Sequence, residues 1–419
     1  MGWASMSEEL LINSTSFETR VALVVAGALQ ELHISRASGY TVTGNIYLGK
    51  VVRIIPGMQA AFVDIGLERP GFLHVGDVVT PGLMTSNSGG AAQDKPNIRD
   101  LLHDGQQILV QVGRDPLSTK GARLTMRLAL AAKYLVLTPL DDHIGISQRI
   151  EDKEERARLH NLLSGICAPH GVGVIARTLS EGGSEAQLAD DFTHLLGLWQ
   201  HLSQKLQSVK APCEIYLELP IQNRLVRDLA GIETTSIVAD NRDTYDQLAA
   251  YLKQFAPDFL SKLRMHESEQ PIFQRNNVEE EIERALQPQV RLKSGGTLVI
   301  EETEAMVSID VNTAGFLGSR EMEETVFQTN REAAQAIPRE LRLRNLGGII
   351  VIDFIDMQQP AHRESVLAVL TAALDEDPVK THVEGFSSLG LVQVSRKRTR
   401  QSLVQSMCMV CSCCDGRGK

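Results

Sequence analysis

Residues 306–312 read Met306-Val307-Ser308-Ile309-Asp310-Val311-Asn312, and residues 347–356 read Gly347-Gly348-Ile349-Ile350-Val351-Ile352-Asp353-Phe354-Ile355-Asp356. β-branched runs bounded by glycine and polar residues are typical of buried strands. A helical segment separates the two runs. If the strands lie side by side, Asp310 and Asp353 meet at one edge of a sheet.

Two adjacent carboxylates are the hard oxygen ligands that Mg²⁺ prefers, with phosphate oxygens and water completing its coordination. The alternative is that each aspartate caps a helix or closes a turn. The pattern leaves both interpretations open. In the helical segment between the runs, Pro338 is expected to end the helix or to start a second one.

Length, composition and charge limit the class of protein. A chain of 419 residues with 43% hydrophobic and 22% charged residues predicts a soluble protein of two to four domains. The sequence contains no apolar run of membrane-spanning length and no secretory signal. A net charge of −10 excludes a uniformly basic surface, so any contact with nucleic acid needs local patches such as Arg396-Lys397-Arg398.

The first 127 residues are rich in strand patterns. Residues 8–36 predict a three-stranded meander, and residues 44–127 predict a five-stranded barrel of the OB type, a common oligonucleotide binder. Phe62 and Phe72 fall on consecutive predicted strands, where aromatic rings can stack on bases, and Lys120 could meet a phosphate. The alternative is that both phenylalanines fill the barrel core.

A phosphate-binding pattern follows the barrel. Residues 171–178 predict a strand that ends on Arg177-Thr178, followed by the loop Glu181-Gly182-Gly183-Ser184 and a helix. Such a segment can bind a phosphate. Arginine offers several N–H donors in one plane, threonine offers a hydroxyl, and the start of the helix offers its backbone N–H groups. The alternative is an arginine in an ordinary surface ion pair.

Four of the six cysteines lie close together at Cys408, Cys411, Cys413 and Cys414. Clustered cysteines in a chain without a signal peptide predict metal binding in a reducing cytoplasm. Cys-x-x-Cys spacing supplies half of a tetrahedral zinc site. Two chains with two thiolates each would complete it, and the zinc would then link the subunits of a dimer. A redox-active or disordered tail is the alternative.

Taken together, these segments resemble the ribonuclease E/G family of bacterial endoribonucleases, and within it the G branch more than the E branch. The resemblance runs from about residue 8 to residue 418. It is carried by motifs along the whole chain: Gly57-Met58-Gln59-Ala60-Ala61-Phe62-Val63-Asp64-Ile65-Gly66, Thr119-Lys120-Gly121-Ala122-Arg123-Leu124, Gln270-Pro271-Ile272-Phe273, and Leu341-Arg342-Leu343-Arg344-Asn345-Leu346-Gly347-Gly348.

The resemblance implies a multidomain α/β fold in five parts. These are a ribonuclease H-like subdomain at residues 6–43 and 222–286, an inserted S1 (OB-fold) domain at 44–126, a 5′ sensor at 127–221, a DNase I-like catalytic subdomain at 287–405 and a Cys-rich zinc link at 406–419. It also implies a Mg²⁺-dependent endoribonuclease that favours 5′-monophosphorylated single-stranded RNA and leaves 5′-phosphate and 3′-hydroxyl ends. Ribosomal RNA 5′-end maturation and mRNA decay are the implied processes.

The resemblance assigns residue roles motif by motif. Asp310 and Asp353 match magnesium-binding aspartates, and Asn312 matches an asparagine that orients the site. The expected 5′-phosphate contacts are Arg177 and Thr178, with Val136 and Lys380 in support. Phe62, Phe72 and Lys120 match RNA-binding residues of the S1 domain, and Cys411 and Cys414 match the zinc ligands of a homodimer, with Cys408 as a further candidate.

Two departures from the family pattern qualify these expectations. The usual Cys-Pro-x-Cys is Cys411-Ser412-Cys413-Cys414 here, so the choice of zinc ligands is open. Residues 1–5 look like a cloning remnant, and the chain stops where members of the family continue into a small C-terminal domain, so we expect a shortened form that is a dimer rather than a tetramer. The competing functions are a non-catalytic S1-type RNA-binding assembly protein and a metal-dependent phosphatase or DNase.

Overall fold

The computed structural model describes residues 7–36, 41–79, 97–116, 121–231, 233–313, 322–409 and 411–414. The chain divides into two units, each with its own network of contacts. Unit 1 comprises residues 1–34, 233–242 and 264–419, and unit 2 comprises residues 35–232 and 243–263. The five segments expected from the sequence are finer than this division and remain predictions.

The strands are, in chain order, β1 Glu8–Ser14, β2 Glu18–Val25, β3 Ala28–Arg36, β4 Ile46–Ile55, β5 Ala60–Asp64, β6 Gly71–His74, β7 Gln107–Arg114, β8 Arg123–Thr125, β9 Leu130–Ala131, β10 Leu135–Thr138, β11 Ile144–Ile146, β12 Gly173–Ala176, β13 Cys213–Tyr216, β14 Thr234–Ala239, β15 Leu263–Met265, β16 Gln289–Arg291, β17 Thr297–Glu302, β18 Met306–Asn312, β19 Gly348–Asp353, β20 Thr381–Phe386 and β21 Leu391–Arg396. The α-helices are α1 Ile98–Leu101, α2 Lys153–Cys167, α3 Glu185–Leu206, α4 Ile221–Leu229, α5 Arg242–Phe255, α6 Ile272–Arg275, α7 Val278–Ala285, α8 Met322–Leu343, α9 Pro360–Asp375 and α10 Leu403–Met407. None of the helices in the described part of the chain has the length and apolar character needed to cross a membrane.

Unit 1 contains the predicted meander. β1 pairs antiparallel with β2 and parallel with β14, and the sheet order is β15-β14-β1-β2-β3. Leu11, Leu29 and Leu32 of the meander pack with Phe273 and Ile282 in one core. The three-stranded start is therefore confirmed, and a later part of the chain completes its sheet.

A second sheet of unit 1, which we call the aspartate sheet because it carries Asp310 and Asp353, has the order β16-β17-β18-β19-β21-β20. Its buried face, with Ile309, Ile350 and Ile352, packs against apolar residues of α8 and α9 such as Ile337 and Leu370. Exposed residues alternate with these buried ones along β18 and β19. One face of the aspartate sheet is thus covered by helices, and the described residues leave the other face open.

The expectation that Pro338 ends the helix or starts a second one is wrong, because α8 continues through it to Leu343. The fixed φ of proline suits a helix, and its cost is the hydrogen bond that its missing N–H cannot form. Ala334, Ile337 and Leu341 on either side of it are fully buried. Burial of this apolar face offsets the lost hydrogen bond.

Unit 2 contains the predicted five-stranded barrel, which is confirmed. The strands follow the order β4-β5-β6-β8-β7, β4 also pairs with β7 to close the barrel, and β13 adds to the outside of β4. A second sheet of unit 2 has the order β11-β12-β10-β9. It packs against α2 and α3 through apolar residues that include Leu135, Val174, Leu159 and Leu195.

Candidate active site

Asp310 and Asp353 are direct neighbours on the open face of the aspartate sheet. β18 and β19 are parallel, and the register places Asp310 opposite Asp353. Adjacent strands lie about 4.8 Å apart, so the two carboxylates can approach one ligand. Asp310 lies within β18 and Asp353 is the last residue of β19, so the alternative that they cap helices is wrong.

Asn312 belongs to the same group. Its Nδ2 donates to Oδ2 of Asp310 at 2.6 Å. The Gly295-Gly296 turn approaches the backbone of Asn312 closely, since a Cβ on Gly296 would lie 3.0 Å from the Asn312 carbonyl oxygen. The structure therefore brings together the three residues that were expected to be catalytic.

Asn330 supports the segment that follows Asp353, a role that the sequence analysis missed. It is fully buried on α8, its Nδ2 donates to the Ile355 carbonyl at 2.8 Å, and the Ile355 N–H donates to its Oδ1 at 3.0 Å. The signal was an asparagine on the buried side of an amphipathic helix. Such a side chain must find buried hydrogen-bonding partners.

The carboxylate pair suits a hard cation. Both side chains are exposed on the same face, and both offer oxygen donors. Within the described ranges, no group of three or more His, Cys, Asp or Glu side chains is arranged to hold a metal ion.

Arg177 lies in unit 2, directly after β12. Its Nη2 donates to Oδ1 of Asp228 at 2.7 Å, and its Nη1 donates to the Ala132 carbonyl at 2.7 Å. The ion pair considered as the alternative is present. It also holds the guanidinium in one orientation, with 22% of the side chain exposed.

Asp228 is shared by two arginines. Burial alone would raise the pKa of its carboxyl, but the neighbouring guanidinium groups of Arg227 and Arg177 lower that pKa below its usual value. Arg227 also donates to Glu218 at 3.1 Å and to the Ala131 carbonyl at 3.1 Å. Asp228 is therefore ionised at neutral pH and acts as a fixed acceptor for Arg177.

The surroundings of Arg177 fit the predicted phosphate-binding pattern. The Thr178 hydroxyl lies 3.1 Å from the Ser147 hydroxyl. Ser184 caps α3 in a capping box with Gln187, so this helix begins directly after the Gly-rich loop. Val136 pairs across the sheet with Ile175, which is 40% exposed and lies two residues before Arg177. Arg177, Thr178 and Val136 are thus brought together.

Lys380 belongs to unit 1, not to the unit that carries Arg177. It lines a groove of the aspartate sheet together with residues of β20 and β21. Its predicted part in 5′-phosphate binding stays a prediction.

Phe62 and Phe72 face each other on β5 and β6. They are direct cross-strand partners with ring centroids 6.1 Å apart in an edge-to-face arrangement. The fully buried neighbours Ala61, Val63 and Leu73 point into the barrel, whereas both phenylalanines are half-buried on the outer surface. The alternative that these rings fill the barrel core is wrong.

Two predicted sites extend beyond what the structure describes. Lys120 lies outside the described residues, as do Val410 and residues 415–419. Cys408 and Cys411 are exposed, and Cys414 is half-buried. Hydrogen bonds from the backbone N–H groups of Cys413 and Cys414 lower the pKa of the Cys411 thiol. The choice of zinc ligands stays a prediction.

Comparison with known proteins decides the family. The model of the ribonuclease E/G family matches residues 129–399. The chain is 47% identical to ribonuclease G of Escherichia coli K12 over 416 residues, covering 99% of this chain and 84% of that protein. The chain belongs to the ribonuclease E/G family. Ribonuclease G of Haemophilus influenzae is 46% identical over 411 residues, covering 98% of this chain and 84% of the relative.

The same comparison separates the two branches of the ribonuclease E/G family. Ribonuclease E of Haemophilus influenzae is 39% identical over 414 residues, which cover 98% of this chain but 44% of that protein. Identity is thus higher to these ribonuclease G sequences than to this ribonuclease E. The resemblance to the G branch, noted at Arg342-Leu343-Arg344-Asn345, is confirmed.

Proposed function

We propose that this chain is a Mg²⁺-dependent endoribonuclease that cleaves single-stranded RNA and favours 5′-monophosphorylated ends. That the chain is an endoribonuclease follows from its family and from its similarity to ribonuclease G over nearly its whole length. The observation that carries the proposal is the direct pairing of Asp310 with Asp353 on an open sheet face.

The residues of the site have distinct tasks in this proposal. Asp310 and Asp353 would hold the cation, and the Asn312 amide fixes the orientation of the Asp310 carboxylate. Bound Mg²⁺ would polarise the phosphate and lower the pKa of a water molecule. The open face lets an extended strand lie across the carboxylates. Attack of water at phosphorus with loss of the 3′-oxygen leaves a 5′-phosphate and a 3′-hydroxyl.

The wider roles belong to the same proposal. The substrates would be ribosomal RNA precursors, whose 5′ ends it would mature, and mRNA, which it would help to degrade, both in the cytoplasm. Cys411 and Cys414 of two subunits would coordinate one structural Zn²⁺ that links the subunits of a homodimer. The lowered pKa of Cys411 supports this, because the thiolate is the form that binds zinc.

Cleavage of one labelled oligonucleotide tests the main proposal. With Mg²⁺ we expect internal cuts in single-stranded RNA, with 5′-phosphate and 3′-hydroxyl ends on the products, and with EDTA we expect no cuts. The same sequence as DNA is the control substrate. RNA binding without any Mg²⁺-dependent cleavage would favour the non-catalytic assembly protein, and equal cleavage of the DNA would favour the DNase alternative.

Arg177→Lys tests the 5′ sensor. Hydrogen bonds to charged groups contribute about 1.5–3 kcal/mol, so loss of the planar fork should reduce the preference for 5′-monophosphate over 5′-hydroxyl RNA by about 10- to 100-fold. The measurement is the ratio of kcat/KM for the two substrates. Arg284→Lys, at a largely exposed arginine of α7, is the matched control.

Cleavage of 5′-hydroxyl RNA should stay unchanged in the Arg177→Lys variant. An equal loss of kcat/KM for both substrates would contradict the sensor assignment, because it would show that Arg177 supports folding or general RNA binding. Asp228→Asn should give the same selective loss in weaker form, since it removes the charge that orients Arg177.

Phe62→Ala and Phe72→Ala test the barrel surface. Stacking of one base on an aromatic ring contributes about 1–3 kcal/mol, so each change should raise the Kd for single-stranded RNA by about 5- to 150-fold. Fluorescence anisotropy at fixed salt, with EDTA present, measures this Kd. Phe17→Ala, at a phenylalanine that is 79% exposed outside the barrel, is the control. An unchanged Kd in both barrel variants would remove these rings from the RNA contact.

A further inference from the structure

A groove of about 590 Å³ lies where β19 begins, at the opposite end of this strand from Asp353. We call it the basic groove. Its lining includes Ile349, Lys380, His382, Ser395, Lys397 and Arg398. Lys380 is the predicted contact of the 5′-phosphate, and Lys397 and Arg398 belong to the basic run that the sequence marked as a local patch.

The basic groove and the carboxylate pair lie on the same face of the aspartate sheet. Ile349 pairs with Ser395, which pairs with His382, so these residues form one row across three strands. Ile349 and Asp353 are an even number of residues apart on β19 and therefore point to the same side. At about 3.3 Å per residue, some 13 Å separate the row from the carboxylates.

The charge of the basic groove is positive. The Lys397 N–H donates to the Lys380 carbonyl at 3.2 Å, which places the two exposed lysines side by side. Nε of Arg398 donates to the Gly347 carbonyl at 2.9 Å. Glu304 is the acidic residue in the lining. Arg396 also reaches the lining, but Asp377 neutralises its charge.

Gly348 shapes this end of the basic groove. The guanidinium of Arg398 lies against it, and a Cβ at Gly348 would approach Nε of Arg398 to 2.8 Å. The residue also has a φ of +98°, which residues other than glycine rarely adopt. Glycine is thus required here, because it leaves room for the Arg398 guanidinium against the strand. The neighbouring Ile349 side chain is 55% exposed.

We propose that the basic groove binds the phosphodiester backbone of the same RNA strand whose scissile bond reaches Asp310 and Asp353. This inference rests on the proposed function and adds a second contact region to its substrate. Two lysines and an arginine complement the charge of successive phosphates, and exposed Ile349 offers an apolar contact to a sugar or base. The open sheet face between groove and carboxylates gives an extended strand a continuous path of a few nucleotides.

The salt dependence of RNA binding by the double variant Lys380→Gln, Lys397→Gln tests the inference. The protein is titrated with labelled 5′-hydroxyl and 5′-monophosphate RNA in EDTA over a range of KCl concentrations. Each phosphate contact contributes about −0.7 to the slope of log K against log salt for single strands, so the slope should become shallower by about 1.4. Lys253→Gln, at an exposed lysine of α5, is the control.

An equal shallowing for both RNAs, with normal thermal denaturation, supports a backbone contact. An unchanged slope overturns the inference, as does weakening restricted to 5′-monophosphate RNA, which would make Lys380 a contact of the terminal phosphate. A change of mass in sedimentation with unchanged RNA binding would assign the basic groove to a protein contact and also overturns it. Mg²⁺-dependent cleavage by the wild type is measured separately. Failure of the proposed function can therefore be distinguished from failure of the inference about the basic groove.

Discussion

Asp353→Asn and Asp310→Asn should each lower kcat for RNA cleavage by about 10³-fold, since charge stabilisation by a catalytic metal amounts to several kcal/mol and each 1.36 kcal/mol is tenfold in rate. The two carboxylates are direct partners in parallel strands, so removal of either charge leaves half of the protein's ligands for the cation. The measurement is kcat at saturating 5′-monophosphate RNA with Mg²⁺.

The binding of RNA separates loss of chemistry from loss of structure. Because the aspartates are exposed and the amide is isosteric, the variants should retain wild-type thermal stability and a wild-type Kd for RNA in EDTA. Asp375→Asn removes one exposed carboxylate from the end of α9, on the helix-covered side of the sheet, and should keep full activity. If Asp310→Asn or Asp353→Asn cleaved RNA at the wild-type rate, the metal-site assignment would fall.

Asp377→Ala should lower the free energy of unfolding of unit 1 by about 3–5 kcal/mol, because it leaves a buried guanidinium without its counter-charge. Nε of Arg396 donates to Oδ2 of Asp377 at 2.8 Å, and its Nη2 donates to Oδ1 at 3.2 Å. The Asp377 and Arg396 side chains are 0% and 3% exposed. Urea denaturation followed by circular dichroism measures the change.

The double variant Asp377→Leu, Arg396→Met provides the comparison. Replacing both charges of a buried pair by apolar groups of similar size is often close to neutral, so this variant should be more stable than Asp377→Ala. The remaining cost should come from two backbone groups. The Leu346 carbonyl loses the hydrogen bond from Nη1 of Arg396 at 2.8 Å, and the Val379 N–H loses its acceptor, Oδ1 of Asp377, at 2.8 Å. If the double variant unfolded more easily than Asp377→Ala, the buried charge would not be the cause of the loss.

The local pattern predicted elements better than it predicted their ends. The periodicity of residues 8–36 and 44–127 predicted the meander and the barrel, because alternating burial leaves a direct mark on the sequence. Pro338 misled the prediction, because a proline is read as a local break while α8 is held by the buried face on both sides of it. The pairing of β1 with β14 joins distant parts of the chain and has no local signal.

For the candidate sites too, the local sequence indicated the residues but not their neighbours. Residue types and spacing sufficed to select Asp310, Asp353 and Arg177 as candidates. They did not decide whether the two aspartates lie side by side in strands or cap helices, or whether Phe62 and Phe72 lie outside or inside the barrel, because these depend on register and on barrel closure. Asn330 was missed because its partners, the backbone groups of Ile355, lie beyond the end of its own helix.

The sequence by itself determined which residues could carry the chemistry: two strand-end carboxylates, an arginine before a glycine-rich loop and a pair of strand phenylalanines. The tertiary structure decided which of them meet. Strand register set Asp310 beside Asp353, barrel closure left Phe62 and Phe72 on the outer surface, and Asp228 oriented Arg177. The physical reason is that a side chain's chemistry is local, whereas its neighbours are chosen by backbone pairing and core packing between distant parts of the chain.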